Sequence, residues 1–326
     1  MRLFLTSILI SFVFEQLLFA ENLRDKLFDD LNKPKIILEK SKNYSDETSR
    51  LENVLRRSNQ ALLAYKTDSE VRNIYPNAKI HVTQISKIKF ISIVNSEAGT
   101  RLICIRGNSN VKNWLVSMDA ELVKGFLGDI KIHSGFLKGA LEVYDSLAFK
   151  EIMRSKTSLG KQGNNLPLQN IILGHSMGGA IAVLLAKKMQ MEGHLVKEVV
   201  TFAQPMITNS EGVSSMKSVP LLRVGLDRDV VIYLPGQELG YKHMGQKLEF
   251  DSYNFRFFED SSRDNQPWLP PEAREPLKKI TEEQISKFKP YFGVKIKSNG
   301  LDEFVVAHSL GIYILQIEKH IRKLSR

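Results

Sequence analysis

Residues 170–180 read Asn-Ile-Ile-Leu-Gly-His-Ser-Met-Gly-Gly-Ala, "NIILGHSMGGA". An apolar run ends in a glycine, and one hydroxyl stands between that glycine and two more before an alanine opens a helical stretch. The run reads as a buried strand and "GGAIAVLLAKKMQMEG" as the helix that follows it. A serine hydroxyl is a poor nucleophile unless it is held out from the chain and another group takes its proton. A sharp strand-to-helix turn holds it out but strains its backbone, so the residues two before and two after must be tiny. Here they are Gly174 and Gly178, and Gly179 with Ala180 lets the helix sit close to the strand. The helix N-terminus also aims N–H groups and a positive dipole at the turn, which favours a developing oxyanion. Glycine and serine are common, so the spacing alone says little; the strand before it and the helix after it make it specific. The competing reading is a tight strand–helix turn in which Ser176 is only a cap.

A nucleophile on such a turn needs an acid and a histidine, in the chain order Ser, Asp or Glu, His. Downstream of Ser176 the histidines are His194, His243, His308 and His320. His194 ends the helix after the turn and suits a C-terminal charge partner, and His320 lies in a Lys- and Arg-rich tail that reads as solvated. His243 follows "ELGY" in a loop. His308, after "FVVA" and at the head of a last helix over about 308–324, is best placed to lean over a sheet edge. For the acid, the strand "PLLRVGL" ends in Asp227-Arg228-Asp229, and spacing does not choose between the two aspartates.

Outward from the turn, strands alternate with helices, which implies an α/β domain with a largely parallel central sheet. "KIKFISIV" (87–94) and "RLICIRG" (101–107) flank the turn residues "NSEAGT" and read as a hairpin. "EVVTFAQP" and "PLLRVGL" read as buried strands. Val111, Trp114, Leu115, Met118, Leu122 and Phe126 fall at helical spacings within "NVKNWLVSMDAELVKGF". The proline-rich "NQPWLPPEAREP" (265–276) marks an exposed excursion, and the 251–300 region around it carries no readable motif.

The chain has 326 residues, 43% of them hydrophobic and 25% charged, which suits a large globular domain and argues against disorder. Its net charge of +10 comes without a basic block or zinc-finger spacing, so an anionic surface such as lipid headgroups fits better than nucleic acid, the equal alternative being a solvated basic surface with no specific partner. The one cysteine, Cys104 in "LICI", excludes an intramolecular disulfide and reads as an inert core residue. Arg2 precedes the apolar "LFLTSILISFVF" (3–14), shorter than the roughly 20 residues of a membrane span but suited to a secretory signal cut after Ala20. Export as a secreted or periplasmic protein is the expectation, with an uncleaved N-terminal anchor as the alternative.

With these segments in view, the chain resembles the class 3 lipases, the fungal-lipase-like branch of the α/β-hydrolases, over residues 60–315. The resemblance is carried, in the family's order, by "LICIRGNSNVKNWL", "IHSGFLKG", "IILGHSMGGAIA", "VVTFAQPMITN", "RVGLDRDVVIYLP" and "AHSLGIYI". It implies an α/β-hydrolase fold, expected over 81–326; ahead of it the residues themselves read as a signal peptide over 1–20 and an N-terminal helical segment over 21–80 packed on the main domain. It implies that Ser176 is the nucleophile, that Asp229 before "VVIYLP" is the acid in preference to Asp227, and that His308 is the base. Ile232 stands where the family has proline, and Ala307 where an aspartate is common. After the Arg-Gly of the first strand the family has Ser or Thr, whereas this chain has Asn108. Asn108 and the backbone N–H of Met177 are then expected to form the oxyanion hole, the alternative being that Asn108 caps the next helix. Val111, Trp114, Leu115 and Met118 correspond to the family's mobile lid, although a buried core helix would show the same stripe; Lys112 and Lys124 would face headgroups. His133 and His175 fall in family motifs and read as structural, with His175 pointing away from the site. The activity implied is cleavage of lipid carboxylic esters through an acyl-enzyme, without metal or organic cofactor. Phospholipase A1 chemistry and a non-catalytic binding protein on the same fold are the alternatives.

Overall fold

The computed structural model of the chain describes residues 46–108, 121–126, 128, 130–147, 167–227, 229–251, 254–259 and 308–325. The chain divides into two compact units, Met1–Leu51 and Glu52–Arg326. Of the first, residues 46–51 are described and are helical. The four residues of the expected lid stripe, Val111, Trp114, Leu115 and Met118, and the segment 1–20 lie outside the described residues.

Ten strands are described, β1 Lys79–Val82, β2 Lys89–Asn95, β3 Thr100–Ile105, β4 Leu122–Lys124, β5 Lys131–His133, β6 Gln169–His175, β7 Val196–Phe202, β8 Leu221–Leu226, β9 Gln246–Phe250 and β10 Phe255–Phe258. Eight of them form one sheet in the order β1-β2-β3-β6-β7-β8-β9-β10. From β3 through β9 the neighbours run parallel, and the sheet is antiparallel only towards its two margins. The apolar runs explain this: β6 is buried at every position but its first, as a strand covered on both faces must be. The β2–β3 hairpin follows its turn chemistry, with the Ala98 N–H donating to Asn95 Oδ1 at 3.0 Å and Gly99 at φ +60°. Cys104 is fully buried in β3, where burial pushes its thiol pKa upward, away from reactive thiolate chemistry.

Six α-helices are described, α1 Asp46–Leu62, α2 Asp68–Ile74, α3 Ser134–Ser146, α4 Met177–Met191, α5 Ser210–Ser215 and α6 Leu310–Leu324. Helix α4 connects β6 to β7 and is apolar around most of its circumference, so Gly178 through Ala186 are all buried. Its Ile181, Leu184 and Leu185 share one core with Ile103, Ile172, Phe136 and Val199. Helix α6 buries one stripe, Leu310, Tyr313, Ile314 and Ile317, at helical spacing. From Asn53 onward α1 is tied to β7, where Arg57 forms an ion pair with Glu198.

Three expectations change. The helical stripe does not reach Leu122 and Phe126: Leu122–Lys124 is a strand paired with β5, and cross-strand pairing there overrides the helical period. His320 is buried, not solvated; its Nδ1 bonds the Gln316 carbonyl at 2.8 Å and its ring packs on Phe250 and Phe255. The strand β10, just past residue 251, carries no motif that announced it; it is held by pairing with β9.

Candidate active site

Three parallel strands, β3, β6 and β8, deliver their carboxyl ends to the same side of the sheet, the place where open α/β sheets bind ligands. At the end of β6 the chain turns directly into α4, and Ser176 sits between them at φ 59°, ψ −132°. That is a strained conformation for a residue with a side chain, and it is kept because its surroundings over-determine it. A Cβ on Gly174 would fall 2.1 Å from the Gly178 carbonyl oxygen, and one on Gly178 would fall 2.4 Å from the Ile105 oxygen. Both glycines expected to relieve the turn are therefore required by close backbone approach. The Ser176 N–H donates to the Phe202 carbonyl at 2.9 Å, which ties the turn to β7.

Asp229 follows β8 and caps a short 3-10 turn, accepting the Val231 N–H on Oδ1 at 3.0 Å. Its carboxylate also lies 2.9 Å and 3.1 Å from His308 Nδ1, and it accepts the Tyr313 hydroxyl at 2.7 Å. Of the two candidate aspartates it is Asp229 that holds the His308 ring. Asp229 and His308 are each 1% exposed, so this hydrogen bond stands in low dielectric, where its electrostatic attraction is strong. The bond fixes the imidazole with its hydrogen on Nδ1, which leaves Nε2 as the acceptor. His308 Nε2 and Ser176 Oγ are both buried, and neither has a hydrogen-bond partner among the described residues. Other buried polar atoms of the described residues share this state, Arg101 Nε and Asn170 Oδ1 among them, so what distinguishes these two is the strained turn at the serine and the Asp229–His308 bond.

Tyr313, in α6, went unread in the sequence. Its hydroxyl accepts the Leu226 N–H at 3.2 Å and donates to Asp229, which bridges the end of β8 to the carboxylate. Burial and the neighbouring Asp229 charge push its phenol pKa well upward, so it remains a donor. A buried tyrosine on an apolar helix face needs a partner for its hydroxyl, and that requirement was the available signal.

His175 does not point away from the site. Its ring centroid is 4.9 Å from that of His308, its Nε2 lies 2.8 Å from the His308 carbonyl oxygen, and its Nδ1 lies 2.6 Å from the Tyr65 hydroxyl. Burial, then the neighbouring His308, lowers its pKa to about 3, so it is a neutral spacer. His133 is structural: it stacks on Phe136 at 3.9 Å and accepts the Gly135 N–H at the start of α3. His243 bonds the Ile232 carbonyl, and burial with the nearby Arg223 and Lys247 charges holds its pKa well below the usual value.

The end of β3 runs past the serine. A Cβ on Gly107 would fall 2.8 Å from Ser176 Cβ and 2.9 Å from the Tyr65 hydroxyl. Asn108 follows immediately, and Met177, the first residue of α4, lies on the other side of Ser176 in the chain. Among the described residues no group of three or more His, Cys, Asp or Glu side chains could hold a metal ion. An open cleft lined by Leu221, Met244 and Lys242 lies at the amino ends of β8 and β9, the opposite end of the sheet from Ser176.

Residues 102–239 match the sequence model of the class 3 lipase family. The resemblance read from the motifs is thereby shown. A secreted mono- and diacylglycerol lipase of Fusarium solani is 26% identical over 157 residues, 46% of this chain; the chain spans less than half of that relative's length, 44% of it. Among solved structures, lipase II of Rhizopus niveus aligns with a TM-score of 0.56 at 19% identity, covering 70% of this chain and 93% of its own. The Rhizomucor miehei triacylglyceride lipase aligns with a TM-score of 0.54 at 21% identity, covering 68% of this chain and 92% of its own. The fold shared with these lipases is the α/β-hydrolase fold, with its mostly parallel sheet flanked by helices.

Proposed function

We propose that the protein is a serine hydrolase that cleaves carboxylic esters of lipids through an acyl-enzyme. The observation that carries the reading is the arrangement of Ser176 and His308. The serine stands strained at a strand–helix turn next to His175, whose ring packs on His308; His308 Nδ1 is taken by Asp229, and neither its Nε2 nor the serine hydroxyl has a hydrogen-bond partner among the described residues. In this mechanism Nε2 of His308 takes the proton as Ser176 Oγ attacks the ester carbonyl. Asp229 fixes the tautomer and stabilises the imidazolium that forms. The oxyanion lies between the backbone N–H of Met177 and the donors of Asn108; one such donor is worth about 100- to 1000-fold in rate. The alcohol leaves with the proton from His308, and a water activated by the same histidine releases the acid.

The lipid class is supported by the family match and by the printed activity of the Fusarium relative, a mono- and diacylglycerol lipase. A further solved triacylglycerol lipase, described as having a serine protease triad at its catalytic centre, aligns with a TM-score of 0.54 at 22% identity. Export is part of the proposal: it rests on the signal-like "LFLTSILISFVF" and on the secreted character of that same relative. An anionic lipid surface is the proposed docking partner, in keeping with the net charge of +10. The test is hydrolysis of p-nitrophenyl esters of short and long acyl chains, and of mono-, di- and triacylglycerol emulsions, by the chain from Glu21 onward. Release that rises with acyl length and disappears in Ser176→Ala is the expected result. Release from phospholipid vesicles alone would move the assignment to a phospholipase, and no release from any of these would contradict catalysis.

A further inference from the structure

We infer that Tyr65 and His175 are a positioning pair that locks the oxyanion-side strand end to the main chain of the histidine base. The inference rests on the triad reading above. Its basis is one unbroken row of hydrogen bonds across four segments distant in sequence. The Gly107 N–H donates to the Tyr65 hydroxyl oxygen at 3.0 Å, and Tyr65 and His175 Nδ1 are 2.6 Å apart. His175 Nε2 lies 2.8 Å from the His308 carbonyl oxygen.

The direction of the row is forced. A carbonyl oxygen can only accept, so His175 carries its hydrogen on Nε2 and its Nδ1 must accept. Tyr65 must then donate its only hydroxyl hydrogen to Nδ1 and accept from Gly107. Every group has one role, and no second tautomer satisfies the row. An imidazolium at His175 would set a second hydrogen against the tyrosine, in agreement with the low pKa already noted.

The ends of the row are the two places where precision matters to the proposed chemistry. Gly107 directly precedes Asn108, the expected oxyanion donor, and lies so close to the nucleophile that a Cβ on it would fall 2.8 Å from Ser176 Cβ. His308 carries the base, and its carbonyl is the atom held. His175 is itself the residue before the nucleophile, so one side chain references all three functional segments. Tyr65 as a whole is 37% exposed while its hydroxyl oxygen is engaged on both sides, so its polar end rather than its ring is what the fold fixes. A donor or base displaced by a fraction of an ångström loses transition-state stabilisation while ground-state binding survives. The pair touches no reacting atom in this account and acts only through the residues it holds.

The experiment compares kcat and KM on a p-nitrophenyl ester, alongside thermal melts, for the wild type, Tyr65→Phe, His175→Gln and the double variant. Tyr65→Phe keeps the ring and breaks both of its bonds. His175→Gln keeps a donor towards His308 and loses the acceptor that faces Tyr65. The expected result is a fall in kcat of about 10- to 100-fold in each single variant with KM unchanged within about two-fold. The double variant should fall no further than the worse single, because both break one row. A folded Tyr65→Phe that lowers the melting temperature but keeps kcat within about two-fold of wild type would overturn the inference, as would multiplicative losses in the double variant. His175→Gln decides by the same criterion if Tyr65→Phe does not fold. A wild type without Ser176-dependent hydrolysis would instead defeat the reading beneath it, so the two failures are distinguishable.

Discussion

The turn after β6 and the turn after β8 stand one strand apart at the carboxyl end of the sheet and are built in opposite ways. After β6 the backbone is strained, two glycines are pressed against neighbouring main chain, and the Ser176 hydroxyl has no hydrogen-bond partner among the described residues. After β8 the backbone is extended at Asp229, and its carboxylate is bonded by Val231, His308 and Tyr313. One group is left wanting a partner, and the other is held from three sides. In the proposed mechanism the difference makes the site both rigid and reactive: the carboxylate is held from three sides so that the movable proton has a defined path. His308 joins the two turns, with one ring nitrogen committed and the other open.

Removing the reactive half should have the largest effect. Ser176→Ala is expected to lower kcat by on the order of 10^5- to 10^6-fold with little change in stability, measured by ester hydrolysis and a thermal melt. Disabling the held half comes next: Asp229→Asn keeps the shape but allows the wrong imidazole tautomer, and kcat should fall by about 10^4-fold. Retention of most activity in that variant would mean that the carboxylate does not orient His308. Removing one of the three bonds to Asp229 sharpens the contrast. Tyr313→Phe leaves a buried carboxylate oxygen and the Leu226 N–H short of a partner, so stability should fall by about 1–3 kcal/mol in urea unfolding. The effect spread over the widest range is that of pH. His175 has an ordinary value of 6.5 and a folded value of about 3, so as pH falls the unfolded chain takes up the proton first. Stability from neutral His175 is whole above about pH 6.5 and drains towards pH 3, by at most about 1.4 kcal/mol per pH unit. His175→Gln should flatten this acid limb of the melting curve, leaving the similar contribution of His243, whose pKa is also depressed.

What the sequence disclosed follows from how local each feature is. The serine turn was legible because strand, glycines and helix lie within eleven consecutive residues, 170–180, and each is required by a clash that the structure bears out. The pairing of Asp229 with His308 crosses 79 positions, and only the order of motifs suggested it; on the residues alone Asp227 stood equal. Tyr65 is 110 positions from His175, and nothing in "ALLAYKT" signals that its hydroxyl closes a row beside the nucleophile. His320 was misread from its charged neighbours Lys319, Arg322 and Lys323. Yet it stands seven positions after Tyr313 and three after Ile317, on the same stripe, so spacing is the better guide than composition. Leu122 and Phe126 continued an apolar period whose outcome was set by a strand partner, β5, that no local pattern reveals.

The central claim is that Ser176 is a nucleophile activated by His308. The direct measurement is reaction of the protein with a fluorophosphonate, followed by mass mapping of the adduct, in the wild type and in Ser176→Ala and His308→Ala. The account predicts one adduct per chain, on the peptide bearing Ser176, absent in Ser176→Ala and slowed by at least about 1000-fold in His308→Ala. An adduct on another residue, or labelling of Ser176 at an undiminished rate without His308, would contradict it.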